Sequence, residues 1–319
     1  MDIHLLISNL TNPTLLFFIL GIIATLIKSD LVIPESSFKF ISLYLLFSIG
    51  FKGGQELQHS DLDFEILFCL LFGIIISAII PFYTFFLLKR KLNISDAGAI
   101  AAAYGSVSAV TFVSAVSFLQ LQNIQFGGHM VAVMALMEFP AIIVGVILMK
   151  KFEKSEESNF SLSSIVKHSL SNGSVLMIMG SLVIGIIADS KQAEDIKPFT
   201  TDIFKGFLAI FLLEMGMTTA KRLASFRKNG KFVFLFAILI PLINGCFVAY
   251  LSQFITQEFG NRFIFSILGA SASYIAVPAA MRLAAPKADP GLYIPMALGV
   301  TFPFNITLGM PIYYFIIQS

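Results

Sequence analysis

The stretch AGAIAAAYGSVSAVTFVSAVSF, residues 97–118, decides the fold, because it is long enough to cross a membrane yet is built from small and hydroxylated residues. A second stretch of the same character, GASASYIAVPAA, follows at residues 269–280. Glycine lowers the cost of unwinding a helix, and Pro278 lacks an amide hydrogen and would free a carbonyl one turn earlier. We therefore predict that both helices are broken at mid-membrane, where free backbone groups must face protein or a polar cavity.

The rest of the chain is mostly apolar. Of 319 residues, 57% are apolar and 13% are charged, against roughly 45–50% and about 25% in soluble domains, and the mean hydropathy is +0.87. A soluble globule is excluded, and a net charge of +2 gives no indication of a nucleic-acid partner. Ten apolar segments can be drawn: Leu15–Ile27, Phe38–Phe51, Phe64–Leu88, Ala97–Phe118, Met130–Met149, Val175–Ala188, Ile203–Met217, Phe232–Ile255, Phe263–Ala285 and Leu292–Ile317.

Basic residues are distributed unevenly over the connections between these segments. The connections that follow odd-numbered segments hold 16 of the 21 lysines and arginines. The remaining five are Lys52, Lys191, Lys197, Lys205 and Arg262. The positive-inside rule therefore places both termini outside the cytoplasm, in agreement with an even number of crossings. We expect an integral protein of the plasma (inner) membrane.

The two halves of the chain match weakly at an offset of about 165 residues. The corresponding features are SIGFKGG (48–54) with LEMGMTT (213–219), YGSVSAV (104–110) with GASASYI (269–275), Pro81 with Pro241, and Pro140 with Pro303. The alternative is that small residues and prolines are simply frequent in packed membrane helices. The common order of the features favours a repeat.

A repeated unit of five segments must sit inverted in the membrane, because five is an odd number. The sequence therefore predicts an all-α polytopic membrane protein with ten transmembrane helices in two inverted five-helix repeats. The first repeat is expected at residues 1–152, a cytoplasmic connection at 153–172 and the second repeat at 173–319. In this architecture the two broken helices are the fourth and the ninth.

The two broken helices also predict a binding site for a small anion. A helix start offers free amide hydrogens and a partial positive charge, so two facing starts can bind an anion without a basic side chain. Neither segment has a basic residue in its middle. Four serines at repeat-related positions are candidate hydroxyl donors: Ser106, Ser108, Ser271 and Ser273. For any one of them the alternative is a small residue at a helix contact.

A cation site is predicted from oxygen-bearing residues in the fifth and tenth segments. Glu138 lies near the centre of the fifth segment beside Pro140, and an ionisable group at that depth suggests a function, either cation coordination or proton transfer. Its alternative is a structural hydrogen bond to a neighbouring helix. Thr301 and Asn305 give the tenth segment uncharged oxygens of the kind that suits sodium.

Seven motifs follow one another along the chain: NPTLLFFILG, LVIPES, SIGFKGG, GSVSAVT, EFP, LEMGM and the run from ADPGLYIP to TFPFNI. In sequence and order they are similar to the motifs of the sodium-dependent bicarbonate transporter family known from cyanobacteria. The resemblance implies bicarbonate held where the fourth and ninth helices cross, sodium beside it, and trimers. It carries functional roles over to Gly105, Ser106, Ser108, Thr111, Ser271 and Ser273, and it places Glu138 where the family usually has an aspartate. We assign Thr111 to the sodium site and the others to the substrate site.

Two departures from the family pattern leave alternatives open. Tyr274 and AVPA (276–279) stand where the family has an acidic residue and then Ser-Gly-Pro-Pro. Tyr274 therefore joins the substrate-site candidates, and another small anion, such as a short carboxylate, is the alternative substrate. The connection at 152–172 is shorter than in the family, in which a PII-like regulator docks on that face, so regulation by such a partner stays open.

The interpretation is a sodium-coupled bicarbonate symporter that works by alternating access. We expect no enzyme activity and no cofactor besides sodium as the coupling ion. An intramembrane serine protease would need a histidine base near its serine, and all four histidines fall at connections or ends. A passive channel would show a continuous polar face along one helix, and none is evident.

Overall fold

The structure, a computed structural model, describes residues 13–58, 63–152, 171, 173–226 and 230–319, and within these ranges all regular structure is helical. Helices are numbered here in chain order. The first seven are α1 Pro13–Leu26, α2 Glu35–Gln58, α3 Phe64–Leu88, α4 Ile94–Gly105, α5 Ala109–Leu121, α6 His129–Phe152 and α7 Gly173–Ile187. The others are α8 Ser190–Lys197, α9 Phe204–Phe226, α10 Lys231–Leu251, α11 Phe259–Ala270, α12 Ala276–Ala284 and the composite α13 Pro290–Gln318. The prediction of an all-α protein is confirmed for these residues.

Six helical stretches of the described chain are long and apolar enough to cross a membrane. They are Phe64–Leu88, Ile94–Leu121, His129–Phe152, Ser190–Leu223, Lys231–Phe254 and Pro290–Gln318. Two shorter apolar helices, Leu15–Leu26 and Gly173–Ile187, accompany them. The protein is thus an integral membrane protein, because helices of this length and apolar composition need lipid around the side chains that face outward.

Glycines bring four helices into close backbone contact in pairs. In the α1–α9 pair, a Cβ added to Gly21 would meet the carbonyl oxygen of Leu213, and one added to Gly216 would meet that of Phe18. The α2–α7 pair is equally close, because Gly54 faces the Leu182 carbonyl oxygen in the same way. Without a hydrophobic driving force between helices in lipid, such close approach is what holds membrane helices together.

The remaining long helices form a second group around the interruptions. α3 packs against α4 and α6, and α10 packs against α11 and α13. The start of α4 is fixed by Asn93, whose side chain accepts a hydrogen bond of 2.8 Å from the amide of Asp96. The Asp96 carboxylate in turn accepts a hydrogen bond of 2.7 Å from the amide of Asp289, the residue that caps α13. The starts of α4 and α13 are thereby tied together.

α13 is continuous but irregular. Two wide π turns, Met296–Thr301 and Asn305–Gly309, lie on either side of Pro303. Proline cannot donate an intrahelical hydrogen bond, and wider turns re-pair the backbone around it. π turns occur frequently at functional sites, and these two carry Thr301 and Asn305.

Candidate functional site

The first interruption separates α4 from α5 at residues 106–108. α4 ends at Gly105, where a Cβ would clash with the ring of Pro81 on α3 and would lie 3.0 Å from the Ser77 carbonyl oxygen. Ser108 then adopts an extended conformation, and its hydroxyl accepts a hydrogen bond of 3.2 Å from the amide of Thr111. A serine cap of this kind starts a new helix, so local sequence ends one helix and begins the next.

The second interruption separates α11 from α12 at residues 271–275. Ser271 is extended, with φ −81° and ψ 168°, close to the φ −81° and ψ 178° of its repeat-related residue Ser106. The Ser273 hydroxyl accepts a hydrogen bond of 3.3 Å from the amide of Val277. Pro278 lies in the first turn of α12, where the missing amide costs no intrahelical bond. The expectation that Pro278 frees a carbonyl near Tyr274 is therefore wrong, because Tyr274 already lies outside the helix.

The two interruptions contact each other. The amide of Ser108 donates to the hydroxyl of Ser271 at 3.0 Å, and the amide of Ser273 donates to the carbonyl oxygen of Ala103 at 2.8 Å. Ser271 also donates from its hydroxyl to the Leu268 carbonyl oxygen at 2.9 Å. All of these groups are buried. One non-helical amide of each interruption is thus satisfied by the opposite broken helix.

Three buried oxygens in this region have no hydrogen-bond partner in the described chain. They are Ser106 Oγ, the Tyr274 hydroxyl and Glu138 Oε2. The Tyr274 hydroxyl lies near the Ser108 side chain without meeting hydrogen-bond geometry. Buried polar atoms are nearly always paired, since each unpaired one costs about 1–3 kcal/mol. The arrangement therefore fits a polar ligand or ion that supplies the missing partners.

The starts of α5 and α12 offer different numbers of free amides. In α5 the Thr111 amide is capped by Ser108, which leaves the amides of Ala109 and Val110 without an intrahelical acceptor. In α12 the Val277 amide is capped by Ser273, and Pro278 has no amide hydrogen. The Ala276 amide is therefore the one free donor in the first turn of α12. An anion at the crossing would therefore gain more amide donors from α5 than from α12.

Glu138 lies on α6, at 5% exposure. α6 packs against α3 and α4 and also contacts α11 and α12, so it borders both interrupted helix pairs. Close packing of α6 on α4 depends on Gly145, where a Cβ would lie 2.7 Å from the Ala102 side chain. The helix that carries Glu138 is therefore held against the broken helices by the fit of two helix surfaces.

Thr301 and Asn305 connect α13 to the ends of the two interrupted helices. The Thr301 hydroxyl donates to the Ala237 carbonyl oxygen at 2.7 Å and lies 2.8 Å from the Tyr104 hydroxyl. The Asn305 side-chain amide donates to the carbonyl oxygen of Ala270, the last residue of α11, at 2.8 Å. The structure thus places both residues at the crossing, but their polar groups already have partners within the chain.

The sequence-predicted residues divide into three groups. Ser106, Ser108, Ser271, Ser273 and Tyr274 come together in the two interruptions, and Gly105 and Thr111 flank the first. Thr301 and Asn305 reach the region from α13, and Glu138 lies on α6, which borders both interrupted helix pairs. Tyr104 was missed by the sequence reasoning, although a lone tyrosine in a helix of alanines and glycines was an available signal. Among the described residues no three histidines, cysteines or acids form a group able to hold a metal ion of the strongly coordinating kind.

The fold and the site define a class of protein: a helical integral membrane protein with two interrupted helices that meet inside it. A comparison with protein families gives the particular assignment, because the family model of the Na+-dependent bicarbonate transporter superfamily matches residues 13–318. The chain belongs to this superfamily. Its members form a family of transporters, not of enzymes, and sodium and bicarbonate are the ions in its description. No curated protein matches the chain.

Proposed function

We propose that the protein is a symporter that couples bicarbonate uptake to sodium entry by alternating access. The observation that carries this proposal is the contact between the two interruptions, which contain two buried hydroxyls, Ser106 Oγ and that of Tyr274, without a hydrogen-bond partner in the described chain. On the neighbouring α6, Glu138 Oε2 is also buried without a partner among these residues. A small anion with several oxygens and a cation would supply those partners. The family assignment supports the identity of the two ions.

The proposed architecture has ten crossings in two inverted repeats, residues 1–152 and 173–319, with the connection at 153–172 between them. The pattern of helix contacts supports it. α1 packs on α9 while α2 packs on α7, and α3 packs on α4 and α6 while α10 packs on α11 and α13. These are the contacts expected if each helix of the first repeat has an equivalent in the second. Residues 153–170 and 172 of the connection lie outside the described residues.

The proposed orientation has both termini outside the cytoplasm of the plasma (inner) membrane. Its support is the concentration of lysine and arginine at connections that follow odd-numbered segments. In this orientation the interrupted helices lie between the two faces, with α8 on the outer side. The helix group of α1, α2, α7 and α9 would move against the group that contains the interruptions.

For the anion we propose a site formed chiefly by backbone amides at the start of α5, completed by α12. Ser106 and Tyr274 supply hydroxyls that the chain itself leaves free, while Ser108, Ser271 and Ser273 hold the backbone in place. Such a site binds an anion without a basic side chain. Gly105 contributes by allowing α3 to approach the interruption.

For sodium we propose Glu138 as the charged ligand, with Thr111, Thr301 and Asn305 as neighbouring oxygen donors. A sodium ion would neutralise a carboxylate held within the membrane, so its binding can be linked to that of the anion. The Ala270 carbonyl oxygen, now bonded to Asn305, is available to the same ion if the asparagine shifts.

Another small anion, such as a short carboxylate, is the second candidate substrate, and the Tyr274 hydroxyl favours it because a phenol is a neutral donor to any carboxylate. A homotrimer is proposed from the resemblance to the family alone. Docking of a PII-like regulator would involve the 153–172 connection.

Uptake of labelled bicarbonate into proteoliposomes, with and without an inward sodium gradient, tests the proposal. We expect accumulation above equilibrium only with the gradient, and no accumulation in protein-free liposomes. Competition by unlabelled acetate or formate would identify the alternative substrate class. Sodium-independent flux that stops at equilibrium would show a passive channel and would refute the symporter.

A further inference from the structure

A second polar region lies away from the crossing, in a cavity of about 720 Å³ where α2 ends and where α3, α6 and α11 begin. Four acidic residues line it: Glu56 near the end of α2, Asp63 and Glu65 at the start of α3, and Glu258 before α11. We call this cavity the acidic vestibule. Among the described residues that line it there is no lysine or arginine. Lys52 offsets part of the charge of Glu56 from the adjoining cavity, and the other three carboxylates give the vestibule a negative potential.

One histidine in the vestibule lacks a hydrogen-bond partner. His129 is 7% exposed, lines the cavity, and has its Nε2 atom buried without a partner in the described chain. Its ring is held against the backbone, because a Cβ on Gly127 would lie 2.6 Å from Nδ1. Glu65 is the charged group that acts on it electrostatically, and Glu56, Asp63 and Glu258 line the same cavity. An unpaired buried nitrogen among carboxylates indicates water or a polar ligand in the cavity.

The vestibule continues toward the crossing. Glu56, Gln120 and Phe126 also line a smaller cavity of about 40 Å³, which extends inward between α2 and α5 past Lys52 and Val116. α5 runs from Ser108 at the crossing to the vestibule. Gln120 is twelve residues further along that helix, a distance of about 18 Å at 1.5 Å per residue.

We propose that the acidic vestibule binds a monovalent cation that keeps its water shell, at an entry site separate from the Glu138 position. The space exceeds what an ion needs, since a water molecule takes about 30 Å³. The carboxylates attract the ion by charge and not by direct coordination, in agreement with the lack of a clustered metal site in the described chain. Only the identity of the physiological ion, sodium, rests on the proposed function.

Equilibrium binding of radioactive sodium to the purified protein, without bicarbonate or a gradient, tests this site. All variants carry Glu138→Gln, so that the deeper position contributes as little as possible. The test variant adds Glu65→Gln and Glu258→Gln, and the control adds Glu194→Gln, an exposed carboxylate on α8 paired with Lys197. A carboxylate about 6 Å from the ion in water changes binding about threefold, so the test variant should need about tenfold more sodium for half-saturation. The control should bind as its parent.

Three results would overturn the proposal. The first is an unchanged half-saturating sodium concentration in the test variant, and the second is a potassium affinity that differs from the sodium affinity by more than about threefold in competition. The third is a loss of binding in the charge-preserving Glu65→Asp/Glu258→Asp variant as large as that in the test variant. That last variant distinguishes lost charge from a folding defect. If binding follows these expectations while uptake shows no sodium dependence, the proposed function fails and the vestibule site stands.

Discussion

Replacement by alanine should affect mainly stability at Ser271 and mainly transport at Ser106, although the two serines occupy equivalent positions in the two repeats and share a backbone conformation. Ser271 accepts a hydrogen bond from the Ser108 amide at 3.0 Å and donates one to Leu268 at 2.9 Å. Ser106 Oγ has no hydrogen-bond partner among the described residues. Ser271→Ala leaves a buried amide unsatisfied and should lower the free energy of unfolding by about 1–3 kcal/mol. Ser106→Ala removes an unpaired hydroxyl and should change it by less than about 0.5 kcal/mol.

Transport should show the reverse order. If the anion bonds to Ser106 Oγ, its loss removes a hydrogen bond to a charged group, worth about 1.5 kcal/mol or more, and raises the bicarbonate concentration for half-maximal uptake about tenfold. The assays are denaturant unfolding in detergent without bicarbonate, and initial uptake rates in proteoliposomes. The reasoning is refuted if Ser106→Ala destabilises the protein as much as Ser271→Ala, or if it transports with unchanged half-saturation.

Two further predictions concern the carboxylate and the glycine contacts. Glu138→Gln should raise the sodium concentration for half-maximal uptake about tenfold with little change in pH dependence; wild-type sodium dependence with a lost pH response would instead identify Glu138 as a proton carrier. Gly185→Ala should lower the free energy of unfolding by about 1–3 kcal/mol, because the new Cβ would press on the Phe51 carbonyl oxygen, whereas Gly180→Ala on the same helix meets nothing within 4 Å and should stabilise the protein by about 0.5–1 kcal/mol. Equal unfolding energies for the two glycine variants in detergent would contradict the close-contact interpretation.

The helices and the positions of the interruptions could be predicted from sequence because both depend on local composition. Apolar length sets where a helix runs, and the serines at 106 and 271 end one helix where Ser108 and Ser273 cap the next. The cause assigned to Pro278 was wrong because a proline is equally compatible with a helix start and with a helix break. Sequence alone does not distinguish these cases.

The partners of individual polar groups could not be predicted. Whether Ser106 or Ser271 is the serine with bonds to the chain depends on how two helix ends meet across a separation of 165 residues. The acidic vestibule was missed for a related reason, since Glu56, Glu65, Glu258 and His129 are far apart in sequence and look like ordinary connection residues. A signal did exist, because Glu56, Glu65 and Glu258 lie at connections that are poor in lysine and arginine.

The glycine contacts also have a consequence for how the chain is made. α1 and α2 each pack most extensively on a helix of the other half of the sequence, α9 and α7, and Gly21 meets the Leu213 carbonyl oxygen across almost two hundred residues. During synthesis the first two helices must wait in the lipid until the ribosome has delivered the later ones. Neither half is therefore a complete folding unit, and the two halves, expressed as separate polypeptides, depend on each other to mature.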